Sequence, residues 1–160
     1  MAKESAGLLL YRFKSGRLEV LLVHPGGPFW ARKDEGAWSI PKGEAEPGED
    51  LLARAKLEFQ EETGAAAEGQ FQALTPVRQA GGKRVHAWAV EGELGVDAIT
   101  SNRFVLEWPP RSGRFREFPE VDRAGWFDLP TARRKLLKSQ LPLLDQLEAL
   151  LRRADDDEAG

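Results

Sequence analysis

Apolar residues along the chain gather into short runs separated by glycine and proline, and the spacing within the runs shifts between a strand period and a helix period. Residues Ala6–Phe13, rich in leucine and aromatics, predict a strand. Lys14-Ser15-Gly16 predicts a turn, and Leu18–His24 a second strand able to fold back on the first. Pro25-Gly26-Gly27-Pro28 breaks the run. Phe29–Gly36 reads as a loop, and Trp38-Ser39-Ile40 as an extended piece stopped by Pro41. Residues Glu49–Thr63 carry the helical period, with Leu52, Ala55 and Phe59 on one stripe. Glu49 and Asp50 are expected in the first turn, where the helix dipole favours anions, and Gly64 suits the position just past the last turn.

Further on, Phe71–Gln79 predicts a strand, Gly81-Gly82 a hairpin turn, and Lys83–Glu91 a returning strand with Val85, Ala87 and Ala89 on one face. Phe104–Trp108 reads as a short strand, Pro109–Pro119 as a loop holding Arg111, Arg114 and Arg116, and Val121–Phe127 as a weak strand. Pro130–Leu137 and Gln140–Arg153 predict helices. The second has an apolar face of Leu143, Leu144, Leu147, Leu150 and Leu151, and Pro142 fits its first turn. Strands on both sides of a central helix, with more helix at the end, imply an α/β fold: a mixed sheet covered by helices. No repeat or linker divides the chain, so residues 1–153 are expected to form one domain and the acidic residues 154–160 a disordered tail.

Composition narrows the classes of function. The 160 residues suit one domain, and 41% hydrophobic with 31% charged residues suits a globular one. A net charge of −3 offers nucleic acid no overall attraction. The absence of cysteine excludes disulfides, thiolate metal sites and cysteine nucleophiles. No stretch approaches the ~18 apolar residues of a membrane span, and Leu8–Tyr11 is too short for a signal core. The expectation is a cytoplasmic protein, monomer or homodimer, with neither membrane nor nucleic acid as partner.

Glu58, Glu61 and Glu62 stand at i, i+3 and i+4, on one helical face. Their mutual repulsion costs a few tenths of a kcal/mol per pair in an isolated helix, and a hard divalent cation would reverse its sign. Most acidic helix faces are simply solvated. Here Pro41-Lys42-Gly43-Glu44 precedes the helix, with a glycine that lets backbone approach a ligand and a lysine that suits a phosphate. Arg54, four residues before Glu58, is placed to neutralise one carboxylate. Lys42 and the loop arginines, Arg116 among them, are candidates to hold phosphates. Trp30, Trp38 and Trp88 are candidates to stack on a base, although packing is the commoner role of a tryptophan. His24 and His86 read as strand residues without catalytic duty.

Gly43 to Glu49, seven further residues, and then Leu57-Glu58-Phe59-Gln60-Glu61-Glu62-Thr63-Gly64-Ala65 resemble the Nudix box. That signature is Gly, five residues, Glu, seven residues, then Arg-Glu-apolar-any-Glu-Glu-any-Gly-apolar. The Arg position holds Leu57, and the last apolar position holds the small Ala65. The lead-in Trp38–Gly43 and the stretch Phe118–Phe127 are also similar to that family. The resemblance implies an α/β/α sandwich with a mixed sheet. It implies hydrolysis, with Mg²⁺ or Mn²⁺, of a nucleoside diphosphate linked to another group: a dinucleoside polyphosphate, a nucleotide sugar or a nucleoside triphosphate. By position, Glu58, Glu61 and Glu62 would be metal ligands, with Glu58 and Glu61 catalytic and Glu61 the candidate general base. Gly43 would offer its carbonyl to the metal and Glu49 would support the site. A distal ligand is expected at Glu120, with Glu117 second. Leu57 cannot make the family's ion pair, so Arg54, or failing that Lys56, is expected to supply the charge. The alternative is a nucleotide-binding regulatory module with little or no hydrolysis. Isomerisation of a prenyl diphosphate on the same fold finds no cysteine to support it.

Overall fold

Leucines on alternate sides of one strand set the layers. In the computed structural model, which describes residues 3–159, β1 (Glu4–Lys14) turns through Ser15 and Gly16 into antiparallel β2 (Arg17–Pro25). Leu8 and Leu10 face one side and pack with Ala55 and Phe59 of α1 (Leu51–Thr63). Leu9 faces the other side, with Leu143, Leu144 and Leu147 of α3 (Leu141–Ala159), which follows the short α2 (Leu129–Lys135). A side-chain period of two along a strand forces this division, and helices on both faces give the expected α/β/α sandwich.

The sheet runs in the order β4 (Gln72–Ala73), β6 (Arg84–Glu91), β1, β2, β9 (Val121–Asp128). The β1–β6 pair is parallel and the other pairings are antiparallel. β1 and β2 pair only from Tyr11 and Val20 to the turn, and beyond that they part. The gap takes the chain from Ser39 to Glu44. Val23 exchanges backbone hydrogen bonds of 2.8 and 3.0 Å with Ser39, and β3 (Lys42–Glu44) pairs with Ser5–Gly7 of β1. This wedge holds Lys42 and Gly43 against α1.

The structure departs from the sequence expectations in several places. Asp50 caps α1 by accepting from the backbone N–H groups of Leu52 and Ala53, so Glu49 and Asp50 lie outside the first turn. The strand expected over Phe71–Gln79 is broken into β4 and β5 (Val77–Arg78). Pro76 has no N–H to give a ladder, and the Gln146 side chain bonds both backbone groups of Thr75 instead. The expected loop Pro109–Pro119 contains β8 (Phe115–Pro119), which forms a hairpin with β7 (Arg103–Glu107) apart from the main sheet. Residues 154–159, expected to be a disordered tail, continue α3. Extending a nucleated helix costs little per residue, and this outweighs the poor helix preference of the three aspartates here. Among the described residues no helix is long and apolar enough to cross a membrane.

Candidate functional site

Both ends of α1 are defined by local chemistry. Asp50 closes the first turn, and Gly64, at φ 82°, ends the last by donating its N–H to the Gln60 carbonyl at 2.8 Å. Burial of Ala55 and Phe59 against the sheet turns Glu58, Glu61 and Glu62 toward β3. There a cleft of about 590 Å³ is lined by these glutamates together with Lys42, Gly43 and Glu120.

Glu120 is brought in mainly by backbone hydrogen bonds, with the Ser101 hydroxyl accepting from the N–H of the next residue, Val121, at 3.0 Å. The last carbonyls of a helix lack intrahelical donors. Asn102 N–H supplies one to Glu61 O at 2.9 Å, and Thr100 N–H one to Thr63 O at 3.1 Å. Glu120 N–H then donates to Asn102 O at 2.7 Å, and Gly26 N–H to Glu120 O at 2.9 Å. The chain between β8 and β9 is thereby tied to the end of α1. Glu117, the second choice, is exposed on β8 and does not line the cleft.

Arg54 joins two carboxylates. Its Nε and one terminal nitrogen donate to Glu49 at 2.7–3.1 Å, and its other terminal nitrogen donates to Glu58 at 3.1 Å. Glu49 also accepts from the backbone N–H of Glu46 at 2.9 Å, which fixes the turn before the helix. Leu57 is 42% exposed. Lys56, the other candidate, has its ammonium 4.4 Å from the centre of the Phe71 ring. The positive charge therefore sits three residues earlier on the helix than the box would have it.

The cleft resists charge on its own carboxylates. Burial pushes Glu62 up to about 8, the negative charge of Glu58 adds to this, and Lys42 opposes it. Burial also raises Glu58, against the hydrogen bond from Arg54, and raises Glu120. Lys42 is pushed down by its own burial and then by Lys83. A Cβ at Gly43 would lie 2.0 Å from the carboxyl carbon of Glu58, so only glycine lets that carboxylate rest on the β3 backbone. Clustered oxygen donors that repel one another fit a hard divalent cation, Mg²⁺ or Mn²⁺, which would relieve the repulsion. Among the described residues no three acidic or histidine groups already converge at ligand spacing. Arg54 engages one oxygen of Glu58, and the Lys42 backbone N–H one oxygen of Glu62 at 3.2 Å, so each carboxylate is oriented through a single oxygen.

Two expected substrate contacts fall elsewhere. Trp38 is 5% exposed, packed edge-on to His24 and Phe127, with its ring N–H donating to Asp34 at 2.7 Å; it is a core residue. Arg116 lies on β8 over the Phe118 ring, away from the cleft. Trp88 packs in the core under α1. Trp30 instead borders an adjoining hollow of about 290 Å³ with Val23, Pro25, Ile40 and Val121. That hollow shares Lys42, Glu62 and Glu120 with the acidic cleft, so the two form one groove with an apolar end and a charged end. Asn102 and Arg103 also line the charged end. Sequence reasoning missed both, since neither belongs to a motif. His24 is buried on β2, bonded to Asp122 and to the Lys33 carbonyl, and His86 pairs with Glu4.

The NUDIX domain family model matches residues 1–147 of the chain. Among solved structures, a C. elegans Ap4A hydrolase in a binary complex is 24% identical, with a TM-score of 0.63, covering 94% of this chain and 98% of that one. A mutT/nudix family protein from Listeria innocua is 16% identical, with a TM-score of 0.63 and 95% of each chain covered. The NUDIX domain of Shewanella oneidensis NrtR, complexed with ADP ribose, is 16% identical, with a TM-score of 0.62, covering 94% of this chain and 89% of that one. At these identities the likeness is one of fold.

Proposed function

Since the chain belongs to the NUDIX domain family and is a Nudix hydrolase, we propose that it cleaves a phosphoanhydride bond in a nucleoside diphosphate linked to another group, in dependence on Mg²⁺ or Mn²⁺. The observation that carries this reading is the meeting of Glu58, Glu61 and Glu62 with Glu120, from a distant part of the chain, around the Gly43 backbone in one cleft. These four side chains and the Gly43 carbonyl are the groups that would hold the ions. Bound there, divalent ions neutralise the anhydride oxygens and lower the pKa of a water. Glu61 is the candidate general base, standing in the cleft where it could take a proton from a water. Arg54 holds Glu58 in one rotamer with Glu49 as its brace. Lys42 offers a cation to the substrate phosphates, and Trp30 an aromatic surface at the apolar end for the base. In this reading Trp38 and Arg116 do not touch substrate.

The alternative, a nucleotide-binding module without turnover, rests on Leu57. The contacts of Arg54 with both Glu49 and Glu58 count against it, because the charge missing at Leu57 is supplied from within the same helix. The test is a panel of nucleoside triphosphates, dinucleoside polyphosphates and nucleotide sugars with Mg²⁺ and with Mn²⁺. Turnover strictly dependent on metal, with an alkaline optimum, is expected. Activity that persists in excess chelator would remove the proposal.

A further inference from the structure

Two cations line the cleft, Lys42 and Arg103, and among the described residues neither makes an ion pair or a side-chain hydrogen bond. Arg103 is the first residue of β7, and its backbone position is set by the bonds that tie Asn102 to Glu61 and to Glu120. The residue lines the acidic cleft beside Glu58, Glu61, Glu62 and Glu120. Among the described residues it makes neither an ion pair nor a side-chain hydrogen bond, whereas Arg54 is engaged by Glu49 and Glu58 and Lys83 by Glu44. An uncommitted guanidinium beside four carboxylates is a group kept for another anion.

Its place along the groove says which anion. Lys42, Glu62 and Glu120 border both the apolar hollow and the acidic cleft, while Arg103 borders the cleft and not the hollow. With the base at the Trp30 end and the anhydride over the glutamates, Arg103 stands with Glu58 and Glu61 at the end of the groove away from the base. A planar, permanently charged fork there favours phosphate oxygens over the hydroxyls of a neutral sugar. Resting on the hydrolase reading above, we propose that Arg103 determines specificity, selecting substrates with a further phosphate beyond the cleaved bond over those with a sugar at that place. Nucleoside triphosphates and dinucleoside polyphosphates form the selected class, and nucleotide sugars the disfavoured one.

The experiment compares ATP, diadenosine tetraphosphate and ADP-ribose, which share one nucleoside, on the wild type, Arg103→Ala, Arg103→Lys and Arg111→Ala. Arg111 lies at the tip of the same hairpin, outside the cleft. Arg103→Ala is expected to lower the kcat/KM ratio of either polyphosphate to ADP-ribose by roughly 10- to 100-fold, mainly through KM. Arg103→Lys should fall between, and Arg111→Ala should keep the wild-type ratio. Equal losses on all three substrates, or an unmoved ratio, would overturn the proposal. Calorimetry of tripolyphosphate with Mg²⁺ reads the same contact without turnover. About tenfold weaker binding to Arg103→Ala is expected, and equal binding would overturn it. Absence of wild-type turnover on every substrate would instead bring down the hydrolase reading and leave calorimetry to decide the arginine.

Discussion

Glu58 and Glu62 are the same residue type, one turn apart on the same helix face, yet the protein treats them differently. Glu58 belongs to a region ordered by charge: Arg54 holds it, Glu49 holds Arg54, and the turn at Glu46 holds Glu49. Glu62 belongs to a region ordered by burial: it faces β3, accepts one backbone N–H from Lys42 at 3.2 Å, and its carboxyl is pushed up to about 8. The first region positions a carboxylate and the second stores a reluctance to ionise. A site built to grip cations needs both, because a ligand must be aimed before binding and must gain from it.

The largest way to break this comparison is Glu62→Gln. It is expected to lower kcat with Mg²⁺ by about a thousandfold while leaving the far-ultraviolet circular dichroism of the protein as it was. A loss below tenfold would mean that burial at Glu62 serves packing rather than chemistry. Next comes Arg54→Ala, for which a 10- to 100-fold loss in metal affinity or activity is expected, as for a removed support of a ligand. Leu57→Arg alone should change turnover by no more than about twofold, yet should restore much of the activity when added to Arg54→Ala. A large gain from Leu57→Arg alone would show that Arg54 does not replace the missing arginine.

A pH experiment sharpens the contrast without substrate. Glu62 is held near 8 in the folded chain against an ordinary 4.5, so the folded form binds the extra proton between these values. Its contribution to stability is therefore full below about 4.5 and is lost as pH rises through about 8. In chelator the melting temperature should fall from pH 5 to pH 8, by several degrees for a loss on the order of a few kcal/mol. Glu62→Gln should flatten that slope, and Mg²⁺ should stabilise most at the high-pH end. A slope identical in wild type and Glu62→Gln would assign it to other groups. The smallest effect is expected at the rejected ligand: Glu117→Gln should stay within about twofold in turnover and about 0.5 kcal/mol in stability.

Much of the site lay open in the order of residues because it is local. Helical spacing alone puts Arg54, Glu58, Glu61 and Glu62 on one face, and the Pro41–Glu44 turn comes just ahead of it. Glu120 was legible by resemblance rather than by spacing, since nothing in its immediate neighbours reveals the backbone bonds that bring it to α1. Trp38 misled because an aromatic next to a phosphate-suited turn looks available, while its burial depends on His24 and Phe127 from two other strands. The hairpin of β7 and β8 was half seen. Phe104 opposite Phe118 is a cross-strand pair whose two members read separately as a strand and a loop.

Alternation and period, acting over a few residues, were enough to determine α1, the β1–β2 hairpin and the acidic face, because each depends on neighbours within a turn or a pleat, while composition alone excluded thiol chemistry. Only the tertiary structure decided that β1 and β2 part to admit the Lys42–Glu44 wedge, that Glu120 is tied to the end of α1, and that Arg103 reaches the cleft. Those outcomes depend on burial and on hydrogen bonds between segments far apart in the chain, and the free energy of such contacts exists only once the layers have closed.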